Sequence, residues 1–395
     1  MSADRPQPAQ PLRIAVVGAG STGLMLTLLL QRQGHQVGLF ERSPRLRSEG
    51  CGILLVRSGV EAVAAAGIPG LLDTLLAAGR PVERFVIRNL RGDLIETSPA
   101  EREAGALPSL LIRRQASLEA LWRHADPGSF RGGAELEHWQ QEADGVEARF
   151  TDGRRWRGDL LIGADGVFSR VAPLMAPQRR LHYLGDRVWR GVAADGQVIE
   201  PGDFLVVARG RGVYANAFDL GPEEPTAGGA AITHWGFFQE EPLPASRAEQ
   251  RRLLEEPVPE QALAKIPPDL AALIRATPPE RVVPHWSPDI DPRPHLLTGR
   301  VALIGDAGHA MSSSQARGMT AGLEDAVSLA RHLADAGDDP RRALAAYEAE
   351  RLPIVHRYQE RSRAISARTS RIRAPQQQAV GARQGAGTAR PSIRA

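Results

Sequence analysis

One stretch near the start of the chain constrains the fold more than any other. Ile14-Ala-Val-Val17 is a short β-branched run of the kind that fills a parallel strand buried on both faces. It leads directly into Gly18-Ala-Gly20-Ser-Thr-Gly23 and the apolar helical pattern Leu24 to Gln33. A tight strand-to-helix turn needs the first glycine. The second lets the backbone approach a pyrophosphate, and the third lets helix and strand pack closely. The helix N-terminus adds free N–H groups and the positive end of its dipole. The following strand, Val37-Gly-Leu-Phe40, ends in Glu41, eighteen residues past Gly23, where a carboxylate can accept hydrogen bonds from an adenosine ribose. A 2′-phosphate would sit beside that negative charge. The fingerprint therefore predicts a site for FAD or NAD, and not for NADP.

Composition narrows the setting. A chain of 395 residues is a prior for two or three domains and can bury a large core without staples. Its single cysteine, Cys51, excludes an internal disulfide and any multi-cysteine zinc site, and no metal-ligand cluster is expected. Cys51 reads as a buried small hydrophobe. Residues 361–395 hold eight arginines and no acid, so a formal net charge of +3 leaves about −5 for residues 1–360. The body is mildly acidic, which argues against a nucleic-acid partner, and residues 366–395 read as a basic, disordered tail. Residues 1–12 show no signal-peptide pattern. The run Ile14 to Leu30 is apolar, but it spans only 17 residues and is broken by three glycines, so no membrane span is expected. These features predict a cytoplasmic protein.

Two acid-bearing strand ends follow far downstream. One is Asp159-Leu-Leu-Ile-Gly-Ala-Asp165-Gly166-Val-Phe-Ser169-Arg170; the other is Gly299-Arg-Val-Ala-Leu-Ile-Gly305-Asp306-Ala-Gly-His309. Ligands of doubly wound sheets gather at the carboxyl ends of such strands. The glycine fingerprint and these two turns, in this order, resemble the class A flavoprotein monooxygenases, the aromatic-hydroxylase type that binds FAD. The likeness extends through Gly322-Leu-Glu-Asp325 and Tyr347-Glu348-x-x-Arg351, and covers about residues 12–365.

The resemblance implies roles. Gly18, Gly20, Thr22 and Gly23 would cradle the FAD pyrophosphate, with Glu41 and Arg42 at the adenosine. Arg114, or its neighbour Arg113, would lean on the phosphate–ribityl arm. Asp165 would support the pyrophosphate region and the approach of NADPH or NADH. Gly305 and Asp306 would meet the ribityl hydroxyls, and Gly318 and Met319 would open a helix toward the flavin pyrimidine. His309 is expected to serve structure around the Asp306 turn more than acid–base chemistry. After His309 the family has two prolines and Gly-Gln-Gly, whereas this chain reads Met311-Ser-Ser-Ser-Gln-Ala-Arg317-Gly318. Serines in place of prolines predict a looser loop, because proline fixes φ. Arg317 adds a charge near the flavin.

The implied fold is α/β: a Rossmann-like FAD-binding domain (12–80, 101–178 and 296–365), an inserted antiparallel-sheet substrate domain (81–100 and 179–295), and a C-terminal helix. Strand-like runs at 187–192, 212–220 and 230–238, separated by Gly/Pro/Glu loops, would roof the flavin. Proline-rich turns around 284–294 would return the chain to the first domain. Phe85 to Glu96 reads as a hairpin. Arg190, Tyr214, His234 and Arg317 are candidates to contact substrate, with Trp235 beside them. The implied reaction is NAD(P)H-driven insertion of one oxygen atom from O2 into an aromatic or polycyclic small molecule, through a flavin hydroperoxide. A flavin-dependent reductase or dehydrogenase of the same fold, and a non-catalytic FAD- or ligand-binding protein, remain the alternative readings.

Overall fold

The computed structural model describes residues 10–46, 51–100, 103–194, 198–222, 231–337, 339–369 and 376–379. Its first sheet is built as the fingerprint requires. Arg13–Val17 lies at the centre, flanked in parallel by Gln36–Glu41 on one side and Leu160–Gly163 on the other. Phe130–Gly132 extends the first flank, and Val301–Leu303, then antiparallel Leu297–Thr298, extend the second. Strands buried on both faces carry continuous apolar runs, and Ile14, Val16, Leu160 and Ile162 are fully buried. Helices Ser21–Arg32 and Gly318–Asp335 cover one face. A three-stranded antiparallel meander, Leu136–Gln141, Val146–Phe150 and Arg155–Gly158, covers the other. The carboxyl ends of the parallel strands therefore bring Gly18, Glu41, Asp165 and Gly305 to one edge.

The second large sheet is the roof. Its order is Val282–Ile290, Arg180–Ala194, Ala231–Glu240, Val213–Pro222, Asp203–Gly210, Arg84–Arg88 and Leu94–Pro99, antiparallel except where Asp203–Gly210 meets Arg84–Arg88. The hairpin 84–99 turns at Gly92, in the left-handed region with φ +96°. Two features differ from the sequence expectation. Val282–Ile290, expected as proline-rich turns, is a strand containing Pro284 and Pro288. It lies at the sheet edge, where a residue without an N–H removes no obligatory ladder bond. The stretch 247–276, to which the sequence assigned no element, holds helices Arg247–Leu254, Glu260–Leu263 and Pro268–Ala276. The last two cover the outer face of the roof, burying Trp189, Trp235 and Phe237.

A small sheet, Gly52–Leu55 with Leu110–Arg113 and Gly79–Pro81, joins the two large ones. Its Leu111 packs with Val192, Phe218, Leu220 and Ile232 of the roof's inner face. The chain ends in the long helix Pro340–Thr369, and Gln376–Ala379 pairs with the start of Arg180–Ala194. The remainder of the tail lies outside the described residues. Among the described residues no helix is long and apolar enough to cross a membrane.

Candidate functional site

The strand-to-helix turn is built around its glycines. A Cβ on Gly18, where φ is +106°, would overlap Ala164 backbone, and one on Gly23 would overlap the Gly18 carbonyl. A Cβ on Gly20 would meet no protein atom within 4 Å. The space over Gly20 is thus open while its neighbours are sealed, which is the shape a pyrophosphate needs. The helix Ser21–Arg32 begins there with no side-chain cap, so its first N–H groups face that space. Glu41 is fixed at its strand end by accepting hydrogen bonds from the Ala19 N–H (2.9 Å) and the Ser43 N–H (2.9 Å). Arg42 beside it is exposed.

Asp165 and Asp306 complete the groove. Asp165 accepts from the backbone N–H of Arg170 (2.6 Å) and Val171 (3.2 Å) through Oδ2, while Oδ1 is buried with no protein partner. Burial raises the pKa of its carboxyl. Asp306 is exposed at the start of the short helix Asp306–His309, and its Oδ1 lies 3.6 Å from where a Gly318 Cβ would stand. The helix Gly318–Asp335 opens there, again with no side-chain cap, and Met319 behind it packs on the core. Thr22 occupies the notch between Gly305 and Gly322: a Cβ on Gly305 would come within 2.9 Å of its hydroxyl, and one on Gly322 would collide with it. That contact sets the two helix N-termini side by side. Two uncapped helix ends, a sealed glycine turn, an orphaned carboxylate oxygen and two further carboxylates fit a dinucleotide whose phosphates take the N–H groups and whose sugars take the acids.

Beneath the Gly305 turn lies a buried charge network. Asp325 accepts from the Gly305 N–H (2.8 Å), from Arg351 Nε (2.7 Å), and pairs with His309 Nε2 (2.5 Å). Burial alone would raise the Asp325 pKa, but His309, Arg351 and the Gly305 N–H outweigh it and hold the carboxyl low. His309 is buried against Asp325 and fixes the turn from below.

The loop after His309 differs from the sequence expectation. Ser312 Oγ bonds the Ser362 carbonyl (3.2 Å) and Ser366 Oγ (2.8 Å), and Ser314 Oγ donates to the same carbonyl (2.9 Å). Gln315 Nε2 reaches Ser362 Oγ (2.7 Å) and the Tyr358 carbonyl (3.1 Å). The serines do not loosen this loop; they tie it to the final helix, replacing the dihedral restraint of proline with hydrogen bonds across the fold. Arg317 is held too, donating to Ser58 Oγ (2.7 Å) with its guanidinium 5.2 Å from the Tyr358 ring.

Ser58 belongs to the helix that follows Gly52–Leu55, and Gly52 touches the roof. The Gly52 N–H donates to His234 Nδ1 (3.0 Å), and a Cβ on Gly52 would stand 2.7 Å from His234 Cβ. Burial, with Arg190 nearby, lowers the His234 pKa to about 3, so the ring is neutral and can accept. Arg114 is exposed at the start of its helix, with its N–H on the Cys51 carbonyl (2.9 Å), and Cys51 is a buried free thiol. Its charge is felt by His285 on the roof, which burial, Arg190 and Arg114 together push down to about 3. Arg190, Tyr214 and His234 share the roof's inner face. Trp235 does not: as His234's neighbour it points outward, is fully buried and donates to Thr277 Oγ1 (2.8 Å). The sequence reading missed Asn216 and His285, which line the inner face with them.

The groove fits a flavin-type dinucleotide, and the roof's inner face meets it through Gly52. Over residues 12–362 the chain matches the family described as FAD binding domain. It is 31% identical over 353 residues to an FAD-dependent urate hydroxylase of Klebsiella pneumoniae, covering 87% of both chains. It is 30% identical over 383 residues to a salicylate hydroxylase of Pseudomonas putida, covering 89% of this chain and 84% of that one. The structure of Klebsiella pneumoniae HpxO complexed with FAD and uric acid superposes with a TM-score of 0.77 at 27% identity, over 91% of this chain and 88% of the other. The chain belongs to the class A FAD-dependent aromatic hydroxylases; it is an FAD-dependent monooxygenase.

Proposed function

We propose that the protein uses NADPH or NADH to drive insertion of one oxygen atom from O2 into an aromatic or polycyclic small molecule held under the roof. FAD, when bound, supplies the electron transfer and the activation of O2. The chain's own residues bind, orient and exclude water. The glycine turn and the two helix N-termini hold the dinucleotide, with Glu41 at one end and Asp306 at the other. The uncapped N-terminus at Gly318 favours negative charge on whatever faces it. The tethered loop Ser312–Gln315 and the Gly52–His234 contact close the space between groove and roof.

The observation that carries this reading is that Gly318 and Asp306 connect through Arg317, Ser58 and Gly52 to the same roof face that bears Arg190 and Tyr214. Relatives named as urate, salicylate and 3-amino-4-hydroxybenzoate hydroxylating enzymes support an aromatic substrate. The test is a screen of NAD(P)H consumption by FAD-loaded protein against aromatic and polycyclic compounds under oxygen-18. Product carrying one labelled oxygen is the expected result. Substrate-dependent NAD(P)H consumption giving a hydrogenated, unlabelled product would overturn it in favour of a reductase.

A further inference from the structure

The roof's inner face carries a polar arrangement that its fold does not use. Arg190, Gly236 and Asn216 are direct cross-strand neighbours on three adjacent strands, so their side chains share one face. That face is the inner one, because the alternate residues Trp189, Trp235, Ala215 and Ala217 pack against the outer helices. Arg190 and Asn216 stand two strand spacings apart, about 10 Å between backbones. Gly236 lies between them, where a Cβ would come within 2.7 Å of Asn216 Oδ1 and 3.3 Å of the Phe238 ring. The glycine leaves room for the Asn216 amide, whose Oδ1 leans over it toward the Arg190 strand.

Both flanking groups keep hydrogen-bonding atoms without a protein partner. Asn216 is paired with the Tyr214 hydroxyl, yet its Oδ1 is buried without a hydrogen bond. An acceptor buried and unpaired costs roughly 1–3 kcal/mol, so it calls for a partner that the fold does not supply. Arg190 is half-buried and has neither ion pair nor hydrogen bond among the described residues. Its titratable neighbours on the face include His234 and His285, neutral rings that its own charge helps to keep neutral, and Tyr214. Gly236 is thus flanked by an unopposed cation on one side and a free acceptor on the other.

We infer that Arg190 and Asn216 select the substrate: a planar ring system with an acidic, anionic oxygen at one edge, held by Arg190, and a ring N–H or O–H donor at the opposite edge, held by Asn216 Oδ1. Asn216 is the specificity determinant, because the oxygen of an ether or lactone placed there would face a carbonyl-type oxygen with no proton between them. This inference rests on the flavin-site reading above.

The probes are 4-hydroxy-2-quinolone and 4-hydroxycoumarin, which share an outline and an acidic hydroxyl and differ in a ring N–H replaced by oxygen. Affinity is read from perturbation of the bound flavin's absorbance, without NAD(P)H. The quinolone should bind at least ~10-fold more tightly than the coumarin, as for one hydrogen bond made against one lost. Asn216→Ala should bring that ratio close to one, and Arg190→Gln should weaken both compounds by a similar factor. Gly236→Ala, whose methyl group would collide with Asn216 Oδ1, should lower that ratio while FAD stays bound. Equal affinity for the two compounds, a ratio that survives Asn216→Ala, or no binding of either compound to FAD-loaded protein would overturn the inference. A chain that fails to take up FAD at all would instead overturn the flavin-site reading on which it rests.

Discussion

The contact between His234 and Gly52 makes the seating of the roof depend on a proton. In the folded chain the His234 pKa is lowered to about 3, by burial first and by Arg190 second, while an unfolded histidine titrates near 6.5. The base is therefore protonated more readily when unfolded. Its contribution to stability is fully present above pH 6.5 and is lost progressively as pH falls toward 3. Each pH unit within that window costs about 1.4 kcal/mol for one group, so moving from pH 6.5 to 5.0 costs about 2 kcal/mol. Protonation would also replace the Nδ1 acceptor by a donor facing the Gly52 N–H. Carboxyls raised by burial, such as Asp186 and Asp289, act in the opposite direction, so the total slope does not isolate the histidine.

His234→Asn does isolate it. An amide oxygen can accept from the Gly52 N–H in place of Nδ1 and does not titrate. Urea denaturation of both proteins at pH 6.5 and 5.0, at a fixed FAD concentration, gives the comparison. The wild type should lose about 2 kcal/mol more than the variant between the two values. The same loss in both, with each folded at pH 6.5, would show that His234 is not a buried neutral acceptor and that the roof is not held through Gly52.

Three further outcomes follow from the site. Asp306→Ala should weaken FAD binding by roughly tenfold to a hundredfold, corresponding to about 1.5–3 kcal/mol for hydrogen bonds to a charged group; an unchanged dissociation constant by fluorescence titration would remove Asp306 from the groove. Gly20→Ala should melt close to the wild type when FAD-free yet bind FAD poorly, whereas Gly23→Ala should melt lower in the absence of FAD because its methyl overlaps the Gly18 carbonyl. Ser312→Ala combined with Ser314→Ala removes the side-chain bonds to Ser362 and Ser366. Hydrogen peroxide released per NAD(P)H consumed should rise, with FAD affinity unchanged; coupling equal to the wild type would mean that the tether does not close the site.

The parts of the molecule legible in the sequence are those whose physics is local. A β-branched run, three glycines and an acid eighteen residues on specify a strand, a turn and a strand end, because each residue answers to neighbours in the chain. The roof strands were readable as strands for the same reason, but their faces were not. Alternation says that His234 and Trp235 point apart, and only the seating of Trp235 and Phe237 under the outer helices tells which side is which. Asn216 escaped notice on that account: its Oδ1 leans over Gly236, a residue of the neighbouring strand. Pro284 and Pro288 misled because an edge strand can be identified only once the sheet order is known. The serine loop is the sharpest case. Ser312 and Ser314 look like the loss of a proline restraint until residues some 50 positions away supply their hydrogen bonds, so a local rule about φ was overruled by partners the loop's own sequence does not contain.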